Sequence, residues 1–256
     1  MDQTFPMRII ARIHSDFPSK FGIPRQSGLI DALRATIVFE PEYRSPDALR
    51  GLEGYSHIWL LWQFSGALRE GWSPTVRPPR LGGNVRMGVF ATRSPFRPNA
   101  IGLSSVRLVG IETGGARGPL LHVAGADLMD GSPIFDIKPY LPYTDCHPDA
   151  AGGFAFQSRE GVLRVDFPAP LLEAVPPARR EGLLAVLAQD PRPAYQKEPG
   201  RVHGFEFAGL EVRFSVDGGT LLVRGVVPSS REAPGCGHAP SGGGLEKNLF
   251  SKVGNK

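Results

Sequence analysis

The sequence predicts a β-rich fold, an N-terminal antiparallel β-barrel followed by a small C-terminal α+β unit, and three observations lead there. Glycine and proline are abundant, 32 and 25 of 256 residues, with no collagen-like period, which marks many tight turns. Apolar runs of strand length recur between Gly/Pro clusters, without the regular alternation of strand and long helix that a doubly wound sheet requires. After about residue 150 the pattern changes to one amphipathic helix and three short strands.

The elements follow in order. Met7 to Ser15 alternates as a first strand and Ala35 to Phe39 as a second, with a short helix over Pro46 to Leu52 capped by Ser45. The run from Ser56 to Phe64 is too continuous for a half-exposed strand and too short for most helices, so it reads as a buried central strand. Val85 to Ala91, Ser104 to Ile111 and Leu120 to Ala126 are further strands. The Asp, Ala and Gly-rich stretch from His147 to Ala155 separates a barrel domain, residues 1–150, from an α+β domain, residues 156–228. Pro176 to Gln189 is the helix of that second unit, and Val202 to Phe207, Leu210 to Val216 and Thr220 to Val227 are its strands, with Asp217 to Gly219 as a hairpin turn. Residues 229–256 are rich in Gly, Ser and Lys without an apolar period and are expected to be a disordered tail.

Hydrophobic residues make up 41% of the chain, enough for a real core. Two cysteines, Cys146 and Cys236, are too few for a disulfide framework, and no apolar stretch reaches the roughly 20 residues of a membrane span, so a cytoplasmic protein with no membrane association is expected. The net charge is only +4, but its distribution is uneven. Between Glu70 and Glu112 no acidic residue occurs, while Arg77, Arg80, Arg86, Arg93, Arg97 and Arg107 do, the footprint of a phosphate or polyanion site.

Four blocks carry chemistry. In Phe21 to Leu29 a proline stiffens a loop that offers Arg25 and Gln26 as directed donors. Ser56 and His57 open the central strand, where a histidine is a base, a ligand contact or a satisfied core residue. Arg86 to Leu103 runs from a strand into a proline-punctuated loop with Arg93, Arg97 and Asn99, cations on a rigid support. Gly125 to Asp145 holds Asp127, Asp130, Asp136, Lys138 and Tyr140; its carboxylates lack calcium-loop or zinc-site spacing, so no metal is expected. No G-x-G-x-x-G follows a strand and no Walker loop occurs, which removes the main support for Rossmann or P-loop cofactor binding.

These blocks resemble the TrmO family, also called TsaA-like or YaeB-like. The match is dense from Met7 to Asp145, above all in RPPRLGGNVRMGVFATRSPFRPNAIGLS and DIKPYLPY, and continues in QDPRPAYQ at Gln189 to Gln196. The resemblance implies a TsaA-like, non-Rossmann barrel that binds S-adenosyl-L-methionine, usually as a homodimer. It also implies methylation of N6 of N6-threonylcarbamoyladenosine beside the anticodon of threonine tRNA. Carried over by motif, the cofactor contacts are Pro24, Arg25, Gln26, Ser56, His57, Arg93, Leu103 and the stretch Asp127, Leu128, Met129, Asp130. His57, Asp130 and Tyr140 are the candidate catalytic residues, and Arg86, Arg97, Asn99, Lys138, Arg192 and Tyr195 the candidate substrate and tRNA contacts. Arg97 or Lys138 suits the threonyl carboxylate, and the basic C-terminal helix and its exit, with Arg179, Arg180, Arg192, Lys197 and Arg201, suit the anticodon stem-loop. A silent RNA-binding barrel and a small-molecule enzyme with an arginine-lined pocket use the same cations, and only the Pro24-Arg25-Gln26 and Asp127 to Asp130 blocks speak for a cofactor.

Overall fold

The computed structural model of the chain describes residues 4–78, 81, 84–157, 161–193, 198 and 200–230. Six strands close into an antiparallel barrel in the order β1-β2-β7-β6-β3-β8: β1 (Ala11–His14), β2 (Arg34–Phe39), β3 (His57–Gln63), β6 (Ile101–Glu112), β7 (Leu120–Ala124) and β8 (Pro133–Pro139). Closure leaves no free sheet edge and fills the interior with alternate side chains. Ile13, Ile37, Ile58, Leu60, Val106, Leu121, Val123 and Ile134 point inward and are fully buried. Gly102 faces Trp62 across β3 and β6; a Cβ there would lie 2.2 Å from the indole, so only glycine lets this buried ring lie against the strand.

Between β3 and β6 the chain leaves the barrel as a two-stranded ribbon of β4 (Thr75–Val76) and β5 (Met87–Gly88). After β8 come two helices of four and five residues, α1 (Pro142–Asp145) and α2 (Gly153–Gln157). The C-terminal layer is a four-stranded sheet in the order β10-β11-β12-β9, made of β9 (Arg164–Asp166), β10 (Val202–Phe207), β11 (Leu210–Asp217) and β12 (Thr220–Pro228), covered by α3 (Ala169–Glu173) and α4 (Pro177–Ala188).

The predicted fold class holds, with local corrections. Val85 to Ala91 is a strand only at Met87–Gly88 and then a 3-10 turn. Pro46 to Leu52 is 3-10 rather than α-helical, since a proline at the start and Gly51 with φ of +90° leave too few residues for an α-helical turn. β8 is a strand not among those predicted above; its two prolines sit at the first and last strand positions. Of the expected tail, residues 229–256, the first two are described, with Ser229 N–H donating to the Gly209 carbonyl at 2.8 Å; residues 231–256 and Tyr195 lie outside the described residues.

The C-terminal layer completes its core with barrel-side residues. Phe17, Ile30 and Leu33, all from the loop between β1 and β2, are buried with Val175, Leu183, Leu187, Phe205, Phe207 and Phe214. Phe17 meets Phe207 edge-on at 5.3 Å. Gly22, with φ of +81°, lies so close to Phe205 that a Cβ would stand 2.4 Å from the ring. Two polar ties hold the same seam: Ala208 N–H donates to the Asp16 carbonyl at 2.8 Å, and Arg179 pairs with the Asp16 carboxylate at 3.1 Å. Phe205→Ala is therefore expected to lower unfolding stability by about 3–5 kcal/mol in urea titrations, against less than about 0.5 kcal/mol for Val202→Ala on the exposed side of β10.

Candidate functional site

The loop that the C-terminal layer braces from behind forms, on its other side, one wall of a cleft of about 390 Å³ at the barrel mouth. Its floor and sides come from the end of β3 and the turn after it, Trp62 and Phe64 to Arg69, from Arg93, Pro95 and Phe96, and from Asp127, Met129 and Ser132 between β7 and β8. Ile23 faces the cleft and also packs on the C-terminal core. The volume and the mix of aromatic wall with a few polar groups suit a nucleoside-sized ligand.

The polar groups are fixed by one another. Trp62 Nε1–H donates to the Ser104 hydroxyl at 3.0 Å, and that hydroxyl donates to Asp127 Oδ1 at 2.6 Å. Burial pushes the Asp127 carboxyl above its ordinary range, and the Ser104 hydroxyl, backbone N–H groups and the Arg93 charge oppose the rise. Arg93 donates to Gln26 Oε1, tying two blocks that are 67 residues apart in sequence. Gly28 N–H donates to the Gly125 carbonyl at 2.8 Å, which sets the Pro24 to Gln26 segment against the Asp127 turn.

A second, wider cleft of about 660 Å³ lies alongside, with Arg97, Asn99, Trp72 and Phe5 in its lining. Ala67, Leu68, Arg69, Pro95 and Phe96 belong to both clefts. In that shared wall the Arg69 guanidinium sits 3.9 Å from the Phe96 ring centroid, a cation–π contact.

The structure thus brings together Pro24, Arg25, Gln26, Arg93, Asp127 and Met129, and it disperses other candidates. Ser56 and His57 begin β3 while the cleft touches its far end, five residues or roughly 16 Å away. There the Ser56 hydroxyl meets His57 Nδ1 at 2.9 Å, and the ring lies 6.1 Å from Tyr140, which is equally remote from the cleft. Leu128 is fully buried in the barrel core, so its side chain faces inward rather than the cofactor cleft. Leu103 points out of β6 opposite Leu61. Asp130 does not line the cleft; its carboxylate accepts from Ser15 N–H at 3.1 Å and faces His14 at 3.3 Å. Ser65 and Gly66 line the cleft and escaped sequence reading, since neither carries a distinctive functional group.

The cations divide in the same way. Lys138 lines neither cleft and is paired with Asp136 at 2.8 Å. Arg97 donates to the Thr92 and Ser94 carbonyls at 3.0 and 3.3 Å and so staples its own loop. Arg192, expected to face RNA, is bidentate on Asp190 with both side chains under 10% exposed, because a buried carboxylate needs a charged partner. Arg180 caps the Val175 and Glu173 carbonyls, and Arg201 pairs with Glu198. The predicted basic face around α4 is therefore largely engaged in holding the C-terminal layer together. Among the described residues no three His, Cys, Asp or Glu side chains group as metal ligands, and no helix is long and apolar enough to cross a membrane.

The model of the tRNA-methyltransferase O N-terminal domain matches residues 12–146, and that of the TrmO C-terminal domain matches residues 163–229. The chain belongs to the tRNA-methyltransferase O family. It is 42% identical over 221 residues to the tRNA (adenine(37)-N6)-methyltransferase of Escherichia coli K12, covering 83% of this chain and 94% of that one. It is 49% identical over 174 residues to the protein of the same name from Eikenella corrodens, covering 68% and 97%. The crystal structure of TrmO from Pseudomonas aeruginosa superposes with a TM-score of 0.70 at 36% identity, over 88% of this chain and all of that one. In this TrmO-family chain the Arg93 to Ile101 part of the longest motif lines the two clefts, whereas DIKPYLPY lines neither.

The raised carboxyls of Asp127 and Asp16 have a stability consequence. Burial lifts both above the unfolded value, so the folded chain binds more protons than the unfolded chain in that window. Stability is then fullest below the unfolded carboxylate pKa and falls as pH rises through the raised values. Urea unfolding of Asp127→Asn, followed from about pH 4 to pH 7, is expected to show a shallower fall than the parent.

Proposed function

We propose that the chain transfers the methyl group of S-adenosylmethionine to N6 of adenosine 37 in tRNA, the reaction named for its relatives, and that its preferred substrate is the threonylcarbamoylated adenosine of threonine tRNA. The reading rests on one observation. A cofactor-sized cleft carrying Arg25, Gln26, Arg93 and Asp127 shares its wall with a wider, arginine-bearing cleft.

The residues fit the cofactor's chemistry. Arg25 and Arg93 offer guanidinium groups to a carboxylate, Asp127 offers an acceptor to ribose hydroxyls or an ammonium, and Ile23, Leu68, Pro95 and Phe96 give a purine an apolar slot. When bound, the cofactor supplies an electrophilic methyl on a sulfonium: the N6–CH₃ bond forms, the S–CH₃ bond breaks, and the electron pair stays on sulfur as a neutral thioether. N6 must give up one proton, which passes to solvent, and the attached carbamoyl group makes that proton more acidic than that of a plain exocyclic amine. The protein's task is alignment and exclusion of water, so no nucleophile or metal is required of it. Asp127 is oriented by the Ser104 hydroxyl and by backbone N–H groups, which keep its carboxylate turned in one direction.

For the substrate, the wide cleft accepts the modified base, with Asn99 as a hydrogen-bonding group in its lining. Since Lys138 is paired elsewhere and Arg97 is stapled to its loop, Arg69 in the shared wall is the group we assign to the threonyl carboxylate. The homodimer belongs to the same proposal: Ile101, Leu103 and Val109 are exposed on the outer face of β6, with Ser105 and Arg107 between them, a mixed face that suits a second copy. A tRNA substrate also sets the reaction in the cytoplasm.

Methyl incorporation from labelled cofactor into threonine tRNA, with and without the threonylcarbamoyl group, tests the reading. Transfer to the modified tRNA is expected; cofactor binding without transfer to either RNA would refute the substrate, and no cofactor binding would refute the enzyme. Arg93→Ala should raise the cofactor KM about tenfold or more, the cost of one charged hydrogen bond, with a smaller effect on kcat. Arg69→Ala should reduce the preference for modified over bare tRNA by more than it weakens cofactor binding.

A further inference from the structure

The ribbon β4–β5 combines features that neither the barrel core nor the cofactor cleft explains. At its base Trp72 and Phe90 are 55% and 72% exposed, with ring centroids 6.2 Å apart and planes inclined by 32°. Two large aromatic rings left in water beside each other bury little and stabilise the fold little, so their value lies in what they can receive. Trp72 also lines the wide cleft, which places the pair at its rim.

Further out, the register that pairs Thr75 with Gly88 and Val76 with Met87 continues to set Arg77 across from Arg86, both exposed. Like charges directly opposite on a ribbon repel. Arg86 reaches the Thr75 hydroxyl at 3.4 Å, and among the described residues no carboxylate pairs with either arginine. None can come from nearby sequence, because residues 71–111 contain no Asp or Glu. An anion held between the two arginines removes the repulsion.

We propose that the ribbon is an RNA-binding arm. Trp72 and Phe90 stack on an unpaired base next to the adenosine in the wide cleft, and Arg77 and Arg86 hold the phosphates that follow it. Stacking faces alternating with cations are how unpaired RNA is gripped. Trp72 and Arg77 are five positions apart and Phe90 and Arg86 four, which spreads the contacts along a nucleotide strand rather than on one group. A second copy of this chain is a poorer occupant, since symmetric pairing of two ribbons would bring four arginines together with no carboxylate between them. The proposal rests on the tRNA reading above and transfers the main RNA grip from the C-terminal layer to the barrel.

The test is binding of a threonine tRNA transcript to the full chain over a range of salt, beside cofactor affinity and sedimentation of the same proteins. Trp72→Ala and Phe90→Ala should each weaken tRNA binding roughly tenfold, Trp72→Phe should restore most of the loss, and cofactor affinity should not change. Arg77→Ala and Arg86→Ala should each reduce the slope of log affinity against log salt by about 0.7. Parental tRNA affinity and salt slope in all four alanine variants would overturn the arm while leaving the tRNA reading intact. Loss of dimer with unchanged tRNA affinity in the aromatic variants would assign the face to a second copy instead. Absence of tRNA binding by the parent chain would sink the underlying reading itself.

Discussion

The structure depends on the loop between β1 and β2 being packed from two sides. Phe17, Ile30 and Leu33 complete the C-terminal core, while Gly28 is tied to the Gly125 carbonyl of the barrel. Neither layer alone would bury that loop, and an unburied loop of this length would hold Arg25 and Gln26 in many conformations rather than one. The glycine at position 22 shows how tight the arrangement is: the Phe205 ring occupies the space a side chain would need. What reads in the sequence as an appendage with its own helix and sheet is therefore a backing plate for the loop that walls the narrower cleft. Its cations are committed to that role, Arg179 to Asp16 across the seam, Arg192 to Asp190 and Arg180 to backbone carbonyls within the layer.

Barrel closure supplies the other half of the constraint. β3 carries its side chains alternately in and out, so Trp62 enters the core while the chain beyond Gln63 turns out into the cleft wall. The inward ring is anchored by Ser104 on β6, and Ser104 in turn aims Asp127 from the β7–β8 turn. A core aromatic thus orients a site carboxylate through one hydroxyl. Such a partly buried polar chain is tolerable only because each member has a partner.

Much of this was legible in the sequence, and the failures have physical causes. The barrel followed from strand-length apolar runs and turn residues, signals set by the backbone itself. The loop motifs around Arg25, Arg93 and Asp127 converge because their residue types are chemically distinctive and their supports are strand ends. Ser65 and Gly66 were invisible, since they act by shape. His57 and Tyr140 have reactive side chains but stand at the start of β3 and just past β8, away from this cleft, because position along a strand rather than residue type decides which side chains line it. Arginine is the hardest residue to read. Arg97 staples a loop, Arg192 neutralises a buried carboxylate, and Arg93 reaches across to Gln26, and nothing in local sequence separates these fates.

The separation of the arginines by environment bears on how two ligands of opposite demand share one barrel mouth. A sulfonium cofactor brings positive charge, and a tRNA brings a dense line of negative charge. Asp127, half-buried and oriented, is the carboxylate lining the narrower cleft, beside Lys20, Arg25, Arg69 and Arg93, whereas the wide cleft is lined by Arg69, Arg97 and Glu70 and the ribbon beyond it carries the exposed Arg77 and Arg86. The wall between them is made of Leu68, Pro95, Phe96 and the guanidinium of Arg69 lying on the Phe96 face. A cation laid on a ring keeps its charge while presenting apolar surface to both sides. On the proposed reading that wall stands between methyl donor and RNA, and the shared rim is where the donor and N6 would come into line.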